Sequence, residues 1–448
     1  MFRAVADPFS TDSWQRAKSR SAVSGVVRPT RNLIRKLVVP TLLLMASGAA
    51  VHANVVTDWD EKAIEVIQGN APAPPPSIGP IGGLRITTIM HIAIFQAVNT
   101  IDPRYEPYQG QAMPRVDASQ DAAAAAAAST VLMQLLPPES KAKVAQARDA
   151  YLANIPDGDA KTLGIKLGDG VAMKLIESRA NDGNDTVDGF RPVTAPGVYT
   201  QTMPIYGWKF ATMRPFAMTG PAQFRPGPPI ALTSEQWARD YNEMKDLGGK
   251  DSTKRTQRQT EDARFWLTVV PGSNQPLARQ IAIKKNMSVV DAARFMALVT
   301  IAQMDSSIAV FDAKFHYTFW RPITAIRNGD IDGNSATERA ATWQPIDITP
   351  PHPEYPCAHC IGSGAEASAI AAILGTDEIP DVALTSPTMP GVVHRFTNLH
   401  AFNEEVSEAR ILAGFHWRFS TVVGKDMGWK IGAYTVATCL KPLKVARQ

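Results

Sequence analysis

The chain has 448 residues, 45% of them hydrophobic and 20% charged, with 46 Lys/Arg against 42 Asp/Glu. That length is ample for one large domain or two packed halves. The formal excess of +4 comes from the first 53 residues, and the remainder carries 38 basic and 40 acidic side chains with no Lys/Arg run suited to nucleic acid or an anionic membrane surface.

Residues 1–53 have the layout of an export leader. Arg31, Arg35 and Lys36 precede an apolar run from Leu37 to Ala50, and Val51-His52-Ala53 offers a small-x-Ala cleavage pattern. The run is too short to span a bilayer, and no later apolar run is read as reaching the roughly 18–20 residues a span needs. The expected product is exported, periplasmic or secreted, without a transmembrane segment.

Three further regions follow: a helical half over 54–182, a connection over 183–232, and a second helical half over 233–448. In the first, Asn54 to Ile67 reads as a helix and Ala71 to Pro76 as a stiff proline arm. Leu84 to Val98 reads as a buried helix, with His91 as a core residue. Asp121 to Leu136 contains seven successive alanines, which favour a helix that packs closely. Helices at 139–154 and 159–181 complete this half. The connection is rich in Pro, Gly and Thr, and so long a segment without regular structure is usually functional; it is expected at the mouth of a site. In the second half, Thr233-Ser-Glu-Gln236 fits a capping box. Helices are expected at 234–247, 256–269, 277–302, 305–320, 403–418 and 421–438.

Three patches in this half carry the chemistry. Lys314 and Arg321 are seven residues apart, which places them on one face of a helix that Pro322 would end. Two fixed cations favour an anion, and the arginine fork suits a tetrahedral oxyanion. Next, Pro350, Pro351, Pro353 and Pro356 forbid regular structure before a small-residue helix beginning near Cys357. Cys357, Ala358 and His359 then occupy a helix N-terminus, where free N–H groups and the helix dipole collect anions. Finally, Arg410 and His416 flank Gly414 at a spacing that brings them to a site from different angles. Six of the eight histidines fall between Lys314 and His416. Of these, His316, His394 and His400 read as packing or surface residues.

Lys-x6-Arg-Pro, Pro-x-x-His and Arg-x5-His, in that order, resemble the signature shared by vanadium-dependent haloperoxidases and type 2 phosphatidic acid phosphatases, on the bacterial haloperoxidase-like side. The resemblance extends to the helix around His91 and to Asp240–Lys245 with Gln259–Trp266. It implies an all-α fold of two packed helical bundles. It also implies vanadate as cofactor, with Lys314, Arg321 and Arg410 on the oxyanion oxygens, Cys357 and Ala358 beside them, His359 as acid–base group and His416 as the vanadium ligand. His352 takes a place where some members have a halide-side group. The substrates implied are hydrogen peroxide and halide. The alternatives are an exported acid phosphatase that attacks a phosphomonoester through His416, and a weakly active oxyanion binder.

The chain departs from the family in having Cys357-Ala358 for Ser-Gly, Ala409 for a serine, and Ser420 where the phosphatases have an aspartate that orients the last histidine. Cys357 and Cys360 can form a disulfide in an oxidising compartment. Glu261 and Asp262 are candidates for a carboxylate behind an active-site arginine, with surface placement the simpler reading.

Overall fold

The computed structural model describes residues 53–69, 78–110, 116–201, 203–268 and 271–443. The expected leader and the proline arm lie outside these residues. The described residues belong to one compact unit spanning Val51–Gln448.

Local sequence sets most of the helix ends. α1 (Val55–Gln68) starts at Asn54, whose side chain accepts from the N–H groups of Val56 and Thr57. α2 (Pro80–Ile101) and α4 (Pro138–Ala153) both open on a proline, which needs no N–H partner there. α3 (Gln120–Leu135) buries all seven alanines, and α5 (Asp159–Ser178) lies against it through Gly164 and Gly168. A Cβ on Gly168 would stand 2.2 Å from the Ala123 carbonyl oxygen, so the two backbones meet where only small residues fit.

The 183–232 segment contains two short 3-10 turns, Trp208–Thr212 and Pro221–Phe224. It is anchored by Asp305, whose buried carboxylate accepts from the backbone N–H groups of Phe216, Ala217 and Met218 at 2.6–2.8 Å. α6 (Glu235–Leu247) is capped by Ser234, one residue later than the expected Thr233, because the Ser234 hydroxyl accepts from Trp237 N–H. α7 (Gln257–Phe265) is shorter than expected.

The helices expected at 277–302 and 305–320 are instead α8 (Pro271–Lys284) and one long α9 (Val289–Tyr317). The break falls earlier because Asn286 adopts a left-handed φ of 47° and Ser288 caps the next helix, whereas Gln303 and Met304 contain no breaker. α2 and α9 are long and apolar enough to cross a membrane by length and composition, contrary to the expectation that no such run exists. Most of each is buried inside the protein, so they are hydrophobic all round because protein surrounds them.

α9 ends at Thr318 in a left-handed turn, and Pro322 opens the short α10 (Pro322–Arg327) rather than closing α9. α11 (Ala358–Leu374) packs on both α9 and α13 (Arg418–Thr438). Gly424, Gly428 and Gly432 line the α13 seam, where a Cβ at Gly428 would meet the Ile361 carbonyl oxygen at 2.4 Å. Between α11 and α12 (Leu399–Leu412) runs an unexpected antiparallel hairpin, β1 (Glu378–Ser386) and β2 (Met389–Asn398). Among the described residues it is the only sheet, so the all-α class stands.

Candidate active site

The five matched side chains come from four places: the end of α9, the start of α10, the start of α11, and the end of α12 with the loop beyond it. Lys314 sits in the last turn of α9, fully buried, and its Nζ donates to the carbonyls of Pro353 at 3.0 Å and Glu354 at 2.6 Å. Arg321 is the cap residue of α10 and is not on the helix that carries Lys314. The chain reverses at Thr318 and returns Arg321 to the same pocket.

Arg321 donates from Nε to His352 O at 2.9 Å, from Nη1 to Phe415 O at 3.0 Å, and from Nη2 to His352 Nδ1 at 2.9 Å. Its Nη1 also lies 3.3 Å from His416 Nε2. A guanidinium only donates, so His416 Nε2 is an acceptor and the ring proton sits on Nδ1. That Nδ1–H donates to Glu354 Oε1 at 2.7 Å, and Trp417 N–H shares the same oxygen at 3.2 Å. Glu354 therefore fixes the tautomer and leaves Nε2 with its lone pair.

His416 is not in a helix, although 403–418 reads as one. α12 stops at Leu412 because Gly414 turns with φ 83°, and a Cβ there would lie 2.5 Å from Gly248 O. Arg410 remains in the last turn of α12. It is fully buried and donates from Nη1 to the carbonyls of Trp266 and Leu267, and its Cζ lies 4.8 Å over the Phe415 ring. Its Nε and Nη2 have no hydrogen-bond partner.

His359 stands in the first turn of α11 with Nε2 buried and unpartnered, while its ring meets the Leu267 carbonyl. Cys357 caps α11 and is joined to Cys360 by a disulfide, so it carries no S–H to offer an oxyanion. Its sulfur accepts from Cys360 N–H at 3.2 Å.

The electrostatics follow from counting. Lys314, Arg321 and Arg410 are buried together, and among the described residues Glu354 is the one carboxylate acting on Lys314 and Arg321. Burial lowers Lys314 well below its ordinary value, Arg321 to about 10 and Arg410 to about 9, with neighbouring cations helping for Lys314 and Arg410. Burial, reinforced by these cations, also holds His352, His359 and His416 well below the usual imidazole range. Burial raises Glu354 to about 7 against the pull of Lys314 and Arg321. Unpaired buried cations with spare N–H groups are costly unless an anion meets them. A tetrahedral oxyanion of vanadate or phosphate type fits: Arg410 supplies two orphaned donor groups, His359 an orphaned Nε2, and His416 a lone pair.

The site opens on a cavity of about 360 Å³ whose walls include Ile81, Leu84, Tyr206, Leu267 and Phe311, with His352, Ala358, His359 and His416 at its polar end. Tyr206 comes from the long connection, which thus reaches the site. Behind Arg321 lies a second, more polar cavity of about 630 Å³ with Tyr199, Lys250 and Arg327.

Sequence reading missed Glu354. Its signal was a carboxylate set inside the proline run, between Pro353 and Tyr355, where no regular structure can carry it away from the motif. Ser420 does face Glu354, although its hydroxyl meets no partner in good geometry. Glu261 and Asp262 pair with Arg258 and lie beside His394, with no contact to Arg410.

Comparison with known proteins bears on the fold and the family. The family model for the VCPO second helical-bundle domain matches residues 294–444. Vanadium chloroperoxidase of Curvularia inaequalis is 24% identical over 312 residues, which are 56% of this chain and 50% of that protein. The chain thus spans about half the length of that curated relative. A bacterial vanadium-dependent iodoperoxidase superposes with a TM-score of 0.74 at 21% identity, covering 88% of this chain and 99% of that one. A bacterial vanadium-dependent chloroperoxidase gives 0.69 at 17% identity, covering 86% and 96%. The resemblance read from the three motifs is borne out: residues 294–444 match the second helical-bundle domain of the vanadium chloroperoxidases, and the chain has a fold similar to that of the bacterial vanadium-dependent haloperoxidases.

Proposed function

We propose that the protein is a vanadate-dependent haloperoxidase that uses hydrogen peroxide to oxidise halide. The observation that carries this reading is the charge deficit: among the described residues three buried cations share one carboxylate, and two donor groups of Arg410 are unpartnered beside the His416 imidazole, whose Nε2 lone pair meets only a long contact from Arg321. Such preorganised donors stabilise negative charge without reorganising.

In this reading Lys314, Arg321 and Arg410 would hold the oxygens of vanadate, and His416 Nε2 would be the ligand to vanadium. Vanadate, when bound, supplies the activation of peroxide toward halide. Oxidation of halide by hydrogen peroxide to hypohalous acid and water consumes one proton. His359, whose Nε2 is unpartnered at the cavity, would take up a proton there and return it. His352, held by Arg321 at the cavity wall, is the candidate for a halide-side group. The apolar walls exclude water and leave room for an organic acceptor. The Cys357–Cys360 disulfide supports an exported, periplasmic or secreted location.

One observation favours the phosphatase alternative. Glu354 supplies the carboxylate that orients an attacking histidine, so the lack of aspartate at position 420 does not disable His416 as a nucleophile on a phosphomonoester.

The test is an assay of purified protein with vanadate, peroxide and bromide, chloride or iodide, beside a phosphomonoester without vanadate. Halogenation that disappears in His416→Ala supports the haloperoxidase. Phosphate release lost in the same variant supports the phosphatase. Neither turnover, with oxyanion binding retained, leaves a binding protein.

A further inference from the structure

We propose that Glu261, Asp262 and His394 form a binding site for a divalent cation of the zinc class, apart from the oxyanion cradle. Their ligand atoms all lie within 4.8 Å of one another. His394 is on β2 with its side chain 1% exposed, and its Nε2 has no hydrogen-bond partner. That nitrogen faces Glu261 Oε1 at 3.8 Å and Asp262 Oδ1 at 3.9 Å, both from α7. These separations are too long for hydrogen bonds. They are near the spacing of roughly 3.4 Å between neighbouring ligands around a tetrahedral ion with bonds of about 2.0–2.2 Å.

The other ring nitrogen supports the same assignment. His394 Nδ1 lies 2.5 Å from Glu405 Oε1 on α12, so Nδ1–H donates to the carboxylate and the Nε2 lone pair points into the gap. A histidine backed by a carboxylate in this way is the usual arrangement for a metal-ligating imidazole. Phe265 stacks on the ring at 3.8 Å and prevents it from turning away. An imidazole with two carboxylates suits zinc better than calcium or magnesium, which prefer oxygen alone.

Arg258 is the present counter-ion. Its Nε is 2.8 Å from Asp262 Oδ1, and its Nη1 3.2 Å from Glu261 Oε1, but its side chain is 59% exposed and can swing outward. Arg258 therefore competes with the cation. The site also reaches the cradle mechanically. Glu405 Oε1 accepts from Trp266 Nε1 at 2.9 Å, and the Trp266 carbonyl accepts from Arg410. A bound cation would tie α7 to the hairpin and hold the Trp266–Leu267 wall in place.

The test is calorimetric titration of zinc into the full chain, stripped with chelator and free of vanadate. One zinc per chain is expected. Glu261→Gln with Asp262→Asn, on the partly exposed side of the site, should weaken binding by at least about tenfold, as should His394→Ala. Arg258→Ala should bind at least as tightly as the parent, and His416→Ala should bind equally. The proposal is overturned if neither the parent nor Arg258→Ala takes up zinc, or if uptake persists at unchanged affinity in the Glu261→Gln/Asp262→Asn variant.

Discussion

Around α2, Asp182 accepts from Arg85 at 2.9 Å and Arg179 at 3.1 Å, and Asp60 accepts from His91 at 3.0 Å and Arg279 at 2.9 Å. Between α9 and α12, Lys314, Arg321 and Arg410 have Glu354 among them, and Arg410 keeps Nε and Nη2 unpartnered. Both regions are buried and rich in arginine. In the first, Arg85, Arg179 and Arg279 each donate to a carboxylate, and His91 Nδ1 is left without a partner. In the second, three cations face one carboxylate among the described residues, and donors of a buried guanidinium are left over. Buried ions that are paired hold a fold together, whereas buried ions without partners mark a place for something else.

The largest effect that would break this contrast is on stability. Asp182→Ala leaves two buried guanidinium groups without their anion and should cost about 3–5 kcal/mol in chemical unfolding. Arg410→Met removes a cation from a repelling set and should leave stability unchanged or raise it. Equal losses in the two variants would erase the distinction.

The next effect is that of an anion. Sulfate, a tetrahedral dianion that does not titrate between pH 5 and 8, should stabilise the parent by about 2.7 kcal/mol at a hundred times its Kd. Arg410→Met should lose most of that gain, read as the shift in Tm. Glu354→Gln comes third. It keeps the packing but weakens the hold on the His416 tautomer, and oxyanion affinity should fall about 10–100-fold. Titration of the variant with vanadate checks this, and unchanged affinity would mean that Arg321 alone positions the ring.

Much of the site was legible because its cations and histidines are few, ordered and interrupted by prolines that fix where helices begin. Lys314, His359 and Arg410 lie on the expected helices for that reason. The path of the chain between patches was less legible. Seven-residue spacing suggested one helix for Lys314 and Arg321, but Thr318 turns left-handed and Arg321 returns from outside the helix. Helical pattern carried through His416, yet Gly414 ends α12 by a contact with Gly248 that no local signal announces. The hairpin at 378–398 was hidden by Pro380, Pro387 and Pro390, which break its alternation. Glu354 went unread because its partner is 62 residues away.

The smallest effect sharpens the electrostatic side. Below about pH 6.5 the unfolded histidines take up protons, while His352, His359 and His416, held low in the fold, do not. Without an anion, these groups cost stability as pH falls through that range. Glu354 has the opposite sign: its folded value near 7 makes its contribution fade as pH rises from about 4.5 to 7. An anion favours the imidazolium forms and the protonated carboxyl alike. The Tm gain from sulfate should therefore be larger at pH 5.5 than at pH 8, and a gain independent of pH would contradict it.

Vanadate titration of the purified chain at neutral pH, followed by calorimetry in two buffers of different ionisation enthalpy, tests the charge deficit most directly. The account predicts one vanadate per chain, net proton uptake on binding, and loss of binding in Arg410→Met and His416→Ala. Binding that survives both substitutions, or no binding to the parent, would contradict it.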